Sequence, residues 1–451
     1  MKISKLILLI LLSVPISARL LAQSPYTLKQ CIDSALKNNL NIQSAGFDLK
    51  KAEEQKKEAV ASFLPQVSAT GQYQYYTKVP SQLIPSSLFG GGNNAPKYVT
   101  GSFNLAQSTQ ANAKLDQTLY NGQFLIALKA AKANTNIYTV QLKSSKEDVA
   151  YNVGATYYNI QSLTKKVDLF TDNLANSDKL INAMKLKLDN GIATKTDYNR
   201  LLVSRESINA SLISTRGQLQ QQLVQLKFLM GKSLSDSLAV EVDAGQNSLP
   251  ALLANESGNS SKRTDIQLLQ AQKVVGELEK LNIKAGYQPT LSFTTSYGTT
   301  GYNDKFQPFS NINGKWFNSS SIGLNLSIPI YDGGKKRSQI RQKNIELQQY
   351  DTKIQLYKQQ ADKEIATAVI SYNTNVVTLQ SQYSNVQLAN KIYLDRQLQF
   401  QNGIVSLKDV LDAKNDLIDA QNTFISALVN TRTAELDLKK AKGELLDITN
   451  N

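Results

Sequence analysis

The chain of 451 residues has no histidine, a single cysteine (Cys31) and a single tryptophan (Trp316). Without histidine there is no Ser-His-Asp triad and no His-ligated metal, and one thiol makes neither a zinc cluster nor an intrachain disulfide. Prolines are missing from residues 97–249 and 330–451, and glycines from 335–402. Proline breaks helix interiors, so these runs are where helices can be long. Past the N-terminus no stretch approaches 18 apolar residues, so no transmembrane helix is expected. Charged residues make up only 19% against 41% hydrophobic, leaving Asn, Gln, Ser and Thr to carry most of the polarity. That is not the balance of a disordered chain.

What is present begins with an address. Lys2 and Lys5 precede the apolar run Leu6 to Leu12, and small residues follow up to Ala22. This pattern reads as a secretory signal peptide over residues 1–22. Its removal takes Lys2, Lys5 and Arg19 from a formal charge of +14, leaving +11. Gly231-Lys232-Ser233 is similar to the end of a P-loop, but Leu226 occupies the place of the required first glycine, so no phosphate cradle follows. The basic residues are spread along helix faces with no compact motif, which argues against nucleic acid. No nucleophile, base and orienting group are found together, so the sequence is read as a non-enzyme without cofactor or metal.

The sequence is written twice. Asn41-Ile42-Gln43 recurs as Asp265-Ile266-Gln267, and Pro65 as Pro289, both at an offset of 224. Leu119-Tyr120-Asn121-Gly122 recurs as Ile330-Tyr331-Asp332-Gly333 at an offset of 211. Asn190-Gly191-Ile192 recurs as Asn402-Gly403-Ile404 at 212, and Gly231 answers Gly443 at the same 212. The offset falls between Pro65 and Gly122 because the first copy carries a longer loop, Pro80 to Pro96. Matched Pro, Gly and Tyr landmarks at fixed spacing mark an internal duplication.

Within each copy Val153, Ile160, Val167, Leu174, Ile181 and Leu188, or Ile365, Tyr372, Leu379, Val386, Tyr393 and Phe400, fall every seven residues. A sustained seven-residue repeat is the seam of a coiled coil. The run from Gln123 to Asp189 predicts a helix of ~100 Å at 1.5 Å per residue. Gly191 and Gly403 end these helices. Thr194 with Asp197, and Ser406 with Asp409, form capping boxes that start return helices. Shorter helices are expected over about 28–62 and 264–286.

Between short and long helices the period is two. Val67, Ala69, Gly71, Tyr73 and Tyr75 alternate with polar residues, as do Leu291, Phe293, Thr295 and Tyr297, and again Ile322, Leu324, Leu326 and Ile328. A fourth segment, Phe103 to Leu119, alternates less cleanly. These are two strands per copy, each with an apolar and a polar face. Aromatic residues gather near their ends, as in strands that cross a membrane as a β-barrel. The strands alone also fit a soluble sandwich sheet. If they span a membrane, four do not close a barrel and an open edge in lipid leaves amides unsatisfied, so several chains must pool their strands.

With these features in hand, the mature chain resembles the outer membrane efflux proteins, the TolC-like family of Gram-negative bacteria. The resemblance rests on the doubled layout, on Ile328-Pro329-Ile330-Tyr331-Asp332-Gly333-Gly334 at a strand-to-helix joint, and on the tips Gly191 to Asp197 and Gly403 to Asp409. The first copy departs at its joint, with Thr118 where the proline stands and Gln123 where the second glycine stands. Members with a salt-bridged lock carry arginine two residues past the tip glycine; here Ile192-Ala193 and Ile404-Val405 stand there.

The resemblance implies a mostly helical fold with a transmembrane β part. Duplicated helical hairpins form a periplasmic α-barrel, and three chains of four strands form one 12-stranded outer-membrane β-barrel. It divides the chain into a signal peptide (1–22), a first repeat (23–231, strands about 64–78 and 102–119, tip at 190–197) and an equatorial insert (232–262). A second repeat (263–444, strands about 289–300 and 319–331, tip at 402–409) and a tail (445–451) follow. The implied function is the exit duct of a tripartite efflux or type I secretion system, passive and non-enzymatic. The implied partners are sister chains in a homotrimer, a periplasmic adaptor (membrane fusion) protein, an inner-membrane RND or ABC transporter and outer-membrane lipid. Asp409 and Asp412 match the carboxylates that line the entrance aperture and favour cations, with Arg200 as a pairing partner. The tips, Asn190, Gly191, Thr194, Asp197, Asn402, Gly403 and Ser406, are expected to dock the adaptor. Pro65, Tyr120, Gly122, Pro289, Pro329, Tyr331 and Gly333 form the barrel-to-helix joints. The competing reading is a periplasmic coiled-coil scaffold or adaptor without a pore, which would carry a lipoyl-like β-domain that this sequence lacks.

Overall fold

The structure is a computed structural model and describes residues 25–90, 96–242, 251–253, 260–306 and 316–449. The expected signal peptide, the Gly91-Gly92-Asn93-Asn94 tip of the long loop and much of the insert lie outside the described residues. Seven helices are described: α1 (Leu28–Asn38), α2 (Leu40–Ala61), α3 (Gly122–Asp189), α4 (Lys195–Leu229), α5 (Thr264–Ala285), α6 (Lys335–Gln401) and α7 (Leu407–Lys442). Six strands are described: β1 (Gln66–Tyr75), β2 (Gln82–Pro85), β3 (Tyr98–Gly101), β4 (Gln107–Asn121), β5 (Thr290–Asn303) and β6 (Trp316–Ser327). The chain divides into two compact units, and each long helix contributes residues to both. No helix among the described residues is long and apolar enough to cross a membrane.

The first unit comprises Met1–Ala45, Lys143–Thr264 and Lys358–Asn451. Its helices pack along the seven-residue seams. Val153, Ile160 and Ile181 on α3, and Ile365, Tyr372 and Leu379 on α6, are buried, and the other seam positions are half-buried. Near the tips, Ile181, Met184 and Leu201 of the first copy pack with Leu407 of the second, beside Phe400 and Leu411. Burying a side chain of this size stabilises by about 1.5–3 kcal/mol, so such clusters lock the two hairpins together.

The duplication is visible in how the return helices end. Gly231 (φ 64°) follows α4 and Gly443 (φ 71°) caps α7, both left-handed. A Cβ on Gly231 would stand 2.4 Å from the Asn38 carbonyl oxygen, and one on Gly443 3.1 Å from Lys262. Asn38 and Lys262 are themselves separated by the 224-residue offset, so each copy closes on itself in the same way. The first expected helix, 28–62, is in fact broken at Asn39. Its Oδ1 accepts from the Asn41 N–H (2.9 Å) and its Nδ2 donates to the Leu229 carbonyl (2.8 Å), a local alternative to helical bonding. The insert is held at equivalent positions of the two long helices. Gln161 Nε2 donates to the Glu241 carbonyl (2.7 Å), and Asn373, 212 residues later, exchanges two 2.9 Å bonds with the backbone of Leu253.

The second unit comprises Gly46–Leu142 and Asp265–Tyr357 and carries the sheet, in the order β1-β4-β5-β6, all antiparallel. The expected long loop is partly structured, for β2 and β3 pair as a small hairpin. Its register sets Leu83 against Thr100 and Ile84 against Val99, an alternation too short to stand out from the surrounding Pro and Gly. Ion pairs Lys273–Asp351 (2.6 Å) and Lys343–Glu279 (2.6 Å) link α5 to α6.

Gly231→Ala should destabilise the chain by about 2 kcal/mol or more, since it adds a backbone clash to left-handed strain. Gly191→Ala, left-handed but facing open space, should cost about 1 kcal/mol. Urea unfolding followed by circular dichroism checks the ranking.

Candidate functional site

The sheet sorts its side chains by chemistry. Cross-strand partners lie on one face. Val67 faces Leu115, which faces Thr295, which faces Ile322. Along the same face run Ala69, Ala113, Tyr297, Phe293, Leu324 and Leu326. The opposite face holds Ser68, Thr70, Gln72, Asn112, Thr294, Ser296 and Ser321, with Lys114 paired to Asp116 at 2.9 Å. The apolar side chains are largely exposed, among them Val67, Tyr297, Ile322, Leu324 and Leu326. An apolar face open to its surroundings, backed by a polar one whose charges Lys114 and Asp116 pair with each other, is the pattern of a strand set between lipid and a water-filled lumen. β1 and β6 have no strand partner on their outer edges among the described residues.

The joints turn strands into helices. In the first copy Asn121 Oδ1 accepts from the N–H groups of Gln123 (3.0 Å) and Phe124 (3.3 Å), capping α3, and the Tyr120 hydroxyl donates to Gln288 Oε1 (2.9 Å). In the second copy Asp332 caps α6, accepting from Gly334 N–H (3.0 Å) and Lys336 N–H (3.1 Å). These backbone donors hold the Asp332 carboxyl below the usual carboxylate range. Gly333 and Gly334 are both left-handed, at φ 67° and 82°, which explains the paired glycines there. Gln123 in the first copy lies inside α3 and needs no such freedom. Pro65 and Pro289 each stand immediately before a strand, while Pro329 and Tyr331 follow β6.

At the tips, Gly191 (φ 72°) and Gly403 (φ 74°) reverse the chain. Asn190 and Asn402 donate the last helical bonds, to Leu186 and Leu398. Ile192 N–H then reaches back to the Lys187 carbonyl, and Ile404 N–H to that of Gln399. This satisfies carbonyls a helix end leaves bare. The second return helix has a complete capping box: Asp409 N–H donates to Ser406 Oγ, and Ser406 N–H donates to the Asp409 carboxylate (2.9 Å). In the first copy the expected box is only half formed. Asp197 N–H donates to Thr194 Oγ1, while the Asp197 carboxylate takes the Thr194 hydroxyl and lies 3.7 Å from Arg200. Hydrogen bonds from the Ser406 hydroxyl and N–H hold Asp409 below its ordinary pKa.

The expected pairing of Arg200 with Asp412 is not formed within the chain. Arg200 turns to Asp197 and Asp412 lies 3.5 Å from Lys408, because neighbours one helical turn away are nearer than a residue on another helix. Both nonetheless line one groove of about 630 Å³, with Val203 and Leu411. One residue escaped the sequence reading. Lys414 on α7 is 3% exposed, and its ammonium donates to Ser177 Oγ on α3. Burial pushes its pKa down. Its spacing from Val410 and Leu417 placed it on the seam face, a signal outweighed by its charge.

The comparisons with known proteins decide the family. A profile of the outer membrane efflux protein family matches residues 31–232 and 283–444. The chain belongs to that family. It is 24% identical to the outer membrane efflux protein BepC of Brucella suis, over 93% of this chain and 86% of that one. It is 20% identical to outer membrane protein TolC of Escherichia coli, over 93% and 82%. Its fold is similar to that of the Campylobacter jejuni CmeC outer membrane channel, with a TM-score of 0.70 at 18% identity, covering 92% of this chain and 85% of that one. This efflux protein is an outer-membrane exit channel with its helical part in the periplasm. Its family is one of transport ducts, and the scaffold reading finds no support.

Lys414→Met should stabilise the efflux protein by about 1–3 kcal/mol at pH 7 by removing a buried charge, since Ser177 keeps its bond to the Asn173 carbonyl. The native Lys pKa is depressed, so the unfolded state binds the extra proton between that value and its ordinary one. Wild-type stability therefore rises with pH through this window and the advantage of Lys414→Met shrinks, as melting curves at pH 7 and pH 10 will read.

Proposed function

We propose that the efflux protein works as a homotrimer in which three four-stranded sheets complete one 12-stranded barrel. Two repeats, 23–231 and 263–444, flank an equatorial insert at 232–262. The observation that carries this reading is the sheet with one apolar face and two strand edges that have no partner among the described residues. In a bilayer each unpaired N–H or C=O costs several kcal/mol, so a spanning sheet must be closed. Twelve strands suit a lumen wide enough for solutes. The polar face turns inward and the exposed Ile322, Leu324 and Leu326 turn to lipid.

The helical tips supply the periplasmic end. Asn190, Gly191, Thr194, Asp197, Asn402, Gly403 and Ser406 form the surface that docks a periplasmic adaptor protein, itself joined to an inner-membrane RND or ABC transporter. Asp409 and Asp412 line the entrance. Around a threefold axis they bring up to six carboxylates together, which attracts cations. The Ser406 cap favours the charged form of Asp409, opposing the mutual repulsion that would protonate it.

Reconstitution of the purified protein in a planar bilayer tests the duct, with stable single-channel conductance expected. A soluble monomer that never conducts overturns it. Asp409→Asn with Asp412→Asn keeps an acceptor for the cap and removes the charges. Cation selectivity and block by multivalent cations should both fall several-fold; unchanged values remove these residues from the aperture.

A further inference from the structure

Where β6 hands over to α6, the chain turns from apolar to basic within a few residues. Ile328, Ile330 and Tyr331 are exposed, Ile330 to 94% and Tyr331 to 88%. Lys335, Lys336, Arg337, Arg341 and Lys343 follow, and no acidic residue stands between Asp332 and Glu346. Two of these five cations are paired inside the chain. Lys336 lies 3.4 Å from Asp332 and 5.0 Å from the centre of the Tyr287 ring, and Lys343 pairs with Glu279 and Glu346. The side chains of Lys335, Arg337 and Arg341 are exposed and have no partner among the described residues. Lys284, near the end of α5, is exposed and unpaired in the same way. It belongs to the same neighbourhood, since a Cβ on Gly286 would stand 3.1 Å from Lys336 Cε.

These charges do not serve the turn. Asp332 already caps α6 by accepting from Gly334 and Lys336, and a cation in the first turn of a helix is opposed by the macrodipole. The duplication supplies the comparison. At the offset of 211, Lys335-Lys336-Arg337 correspond to Phe124-Leu125-Ile126, where Phe124 stacks on Phe63 with ring centres 4.4 Å apart. One joint turns with no cation in its first helical turn, and the other carries three there. The reason for them lies outside the chain.

We infer that Lys335, Arg337 and Arg341, with Lys284 beside them, hold the headgroup of an anionic phospholipid drawn from the membrane leaflet that faces the periplasm. This rests on the barrel reading above and names a lipid for it. With β6 in the bilayer and α6 in the periplasm, the joint passes through the headgroup layer of that leaflet. Aromatic rings such as Tyr331 settle at this level, and long cationic side chains reach from it to the phosphates. Arg337 and Arg341 stand one helical turn apart, and each guanidinium can fork onto a phosphodiester. The exposed Ile328 and Ile330 continue the apolar face of β6 and lie where the acyl chains begin. Four unpaired cations repel the ammonium of a zwitterionic headgroup, so the site prefers a lipid whose net charge is negative.

Lipids brominated near the headgroup quench tryptophan on contact and test the site on the full chain in vesicles. Trp316 is the only tryptophan and stands at the other end of β6, so Trp316→Phe with Tyr331→Trp moves the reporter to the joint. One basic side chain near an anionic surface is worth about five-fold in binding. Brominated phosphatidylglycerol should therefore bind beside this reporter at least about five-fold more tightly than brominated phosphatidylcholine. Salt near 1 M, which shortens the Debye length from about 10 Å to 3 Å, should shrink that preference without any further substitution. Lys335→Gln/Arg337→Gln/Arg341→Gln should bring it below about two-fold. Lys358→Gln/Lys363→Gln/Lys391→Gln, the same loss of charge ~25 Å or more further along α6, should leave it in place. Equal quenching by the two lipids at low salt overturns the headgroup selection. A preference that survives the joint substitutions, or falls as far with the distant ones, overturns the assignment to these residues. Quenching of Trp316 in the unmodified chain with none at the joint reporter overturns the site and keeps the barrel. Quenching of neither overturns the barrel reading itself.

Discussion

The unsatisfied backbone of an open sheet is the constraint on which the rest depends. A strand edge in water is solvated, but in hydrocarbon its N–H and C=O groups find no partner except another strand. The four-stranded sheet of this chain therefore carries an instruction to associate, written in its backbone and not in any one side chain. Everything in the second unit serves that sheet. Asn121 and Asp332 cap the helices that leave it, Gly333 and Gly334 make the turn, and the cross-strand register holds apolar residues on one face from Val67 through Ile322.

The first unit answers a different demand, which is to hold long helices side by side. The seven-residue seams bury one residue per two turns, and the cluster of Ile181, Met184, Leu201 and Leu407 ties the two hairpins near their tips. The insert ties them again through Gln161 and Asn373, amides at matching positions that satisfy backbone groups of the insert at Glu241 and Leu253. Duplication makes this economical, since one solution to helix termination, a left-handed glycine close against a neighbouring backbone, is used at both Gly231 and Gly443.

Much of the architecture was legible because its signals are periodic. Proline-free runs gave the long helices, the seven-residue repeat gave their buried faces, and the two-residue alternation gave the four strands of the sheet. The tip geometry followed from Asn-Gly and the hydroxyl three residues on. The break at Asn39 and the small β2–β3 hairpin were not legible. The first depends on a side-chain amide bridging to Leu229, far away in sequence, and the second on a pairing only two alternations long.

The candidate site shows the same division. The amino-acid order by itself determined the duplication, the location of joints and tips, and the capping role of Asp409, because each is carried by residues within a few positions of one another. Tertiary structure decided which charges meet and which are buried. Arg200 turns to Asp197 and not to Asp412, Lys414 lies under Ser177, and the capping box closes fully in only one copy. The burial of Lys414 and the lack of an Arg200–Asp412 pair depend on distances between helices, to which no local pattern in the chain is sensitive, while the Arg200–Asp197 contact and the tip caps span a single helical turn. The register between sheet strands belongs to both, since the side-chain alternation permits only every second alignment and the fold selects one among them.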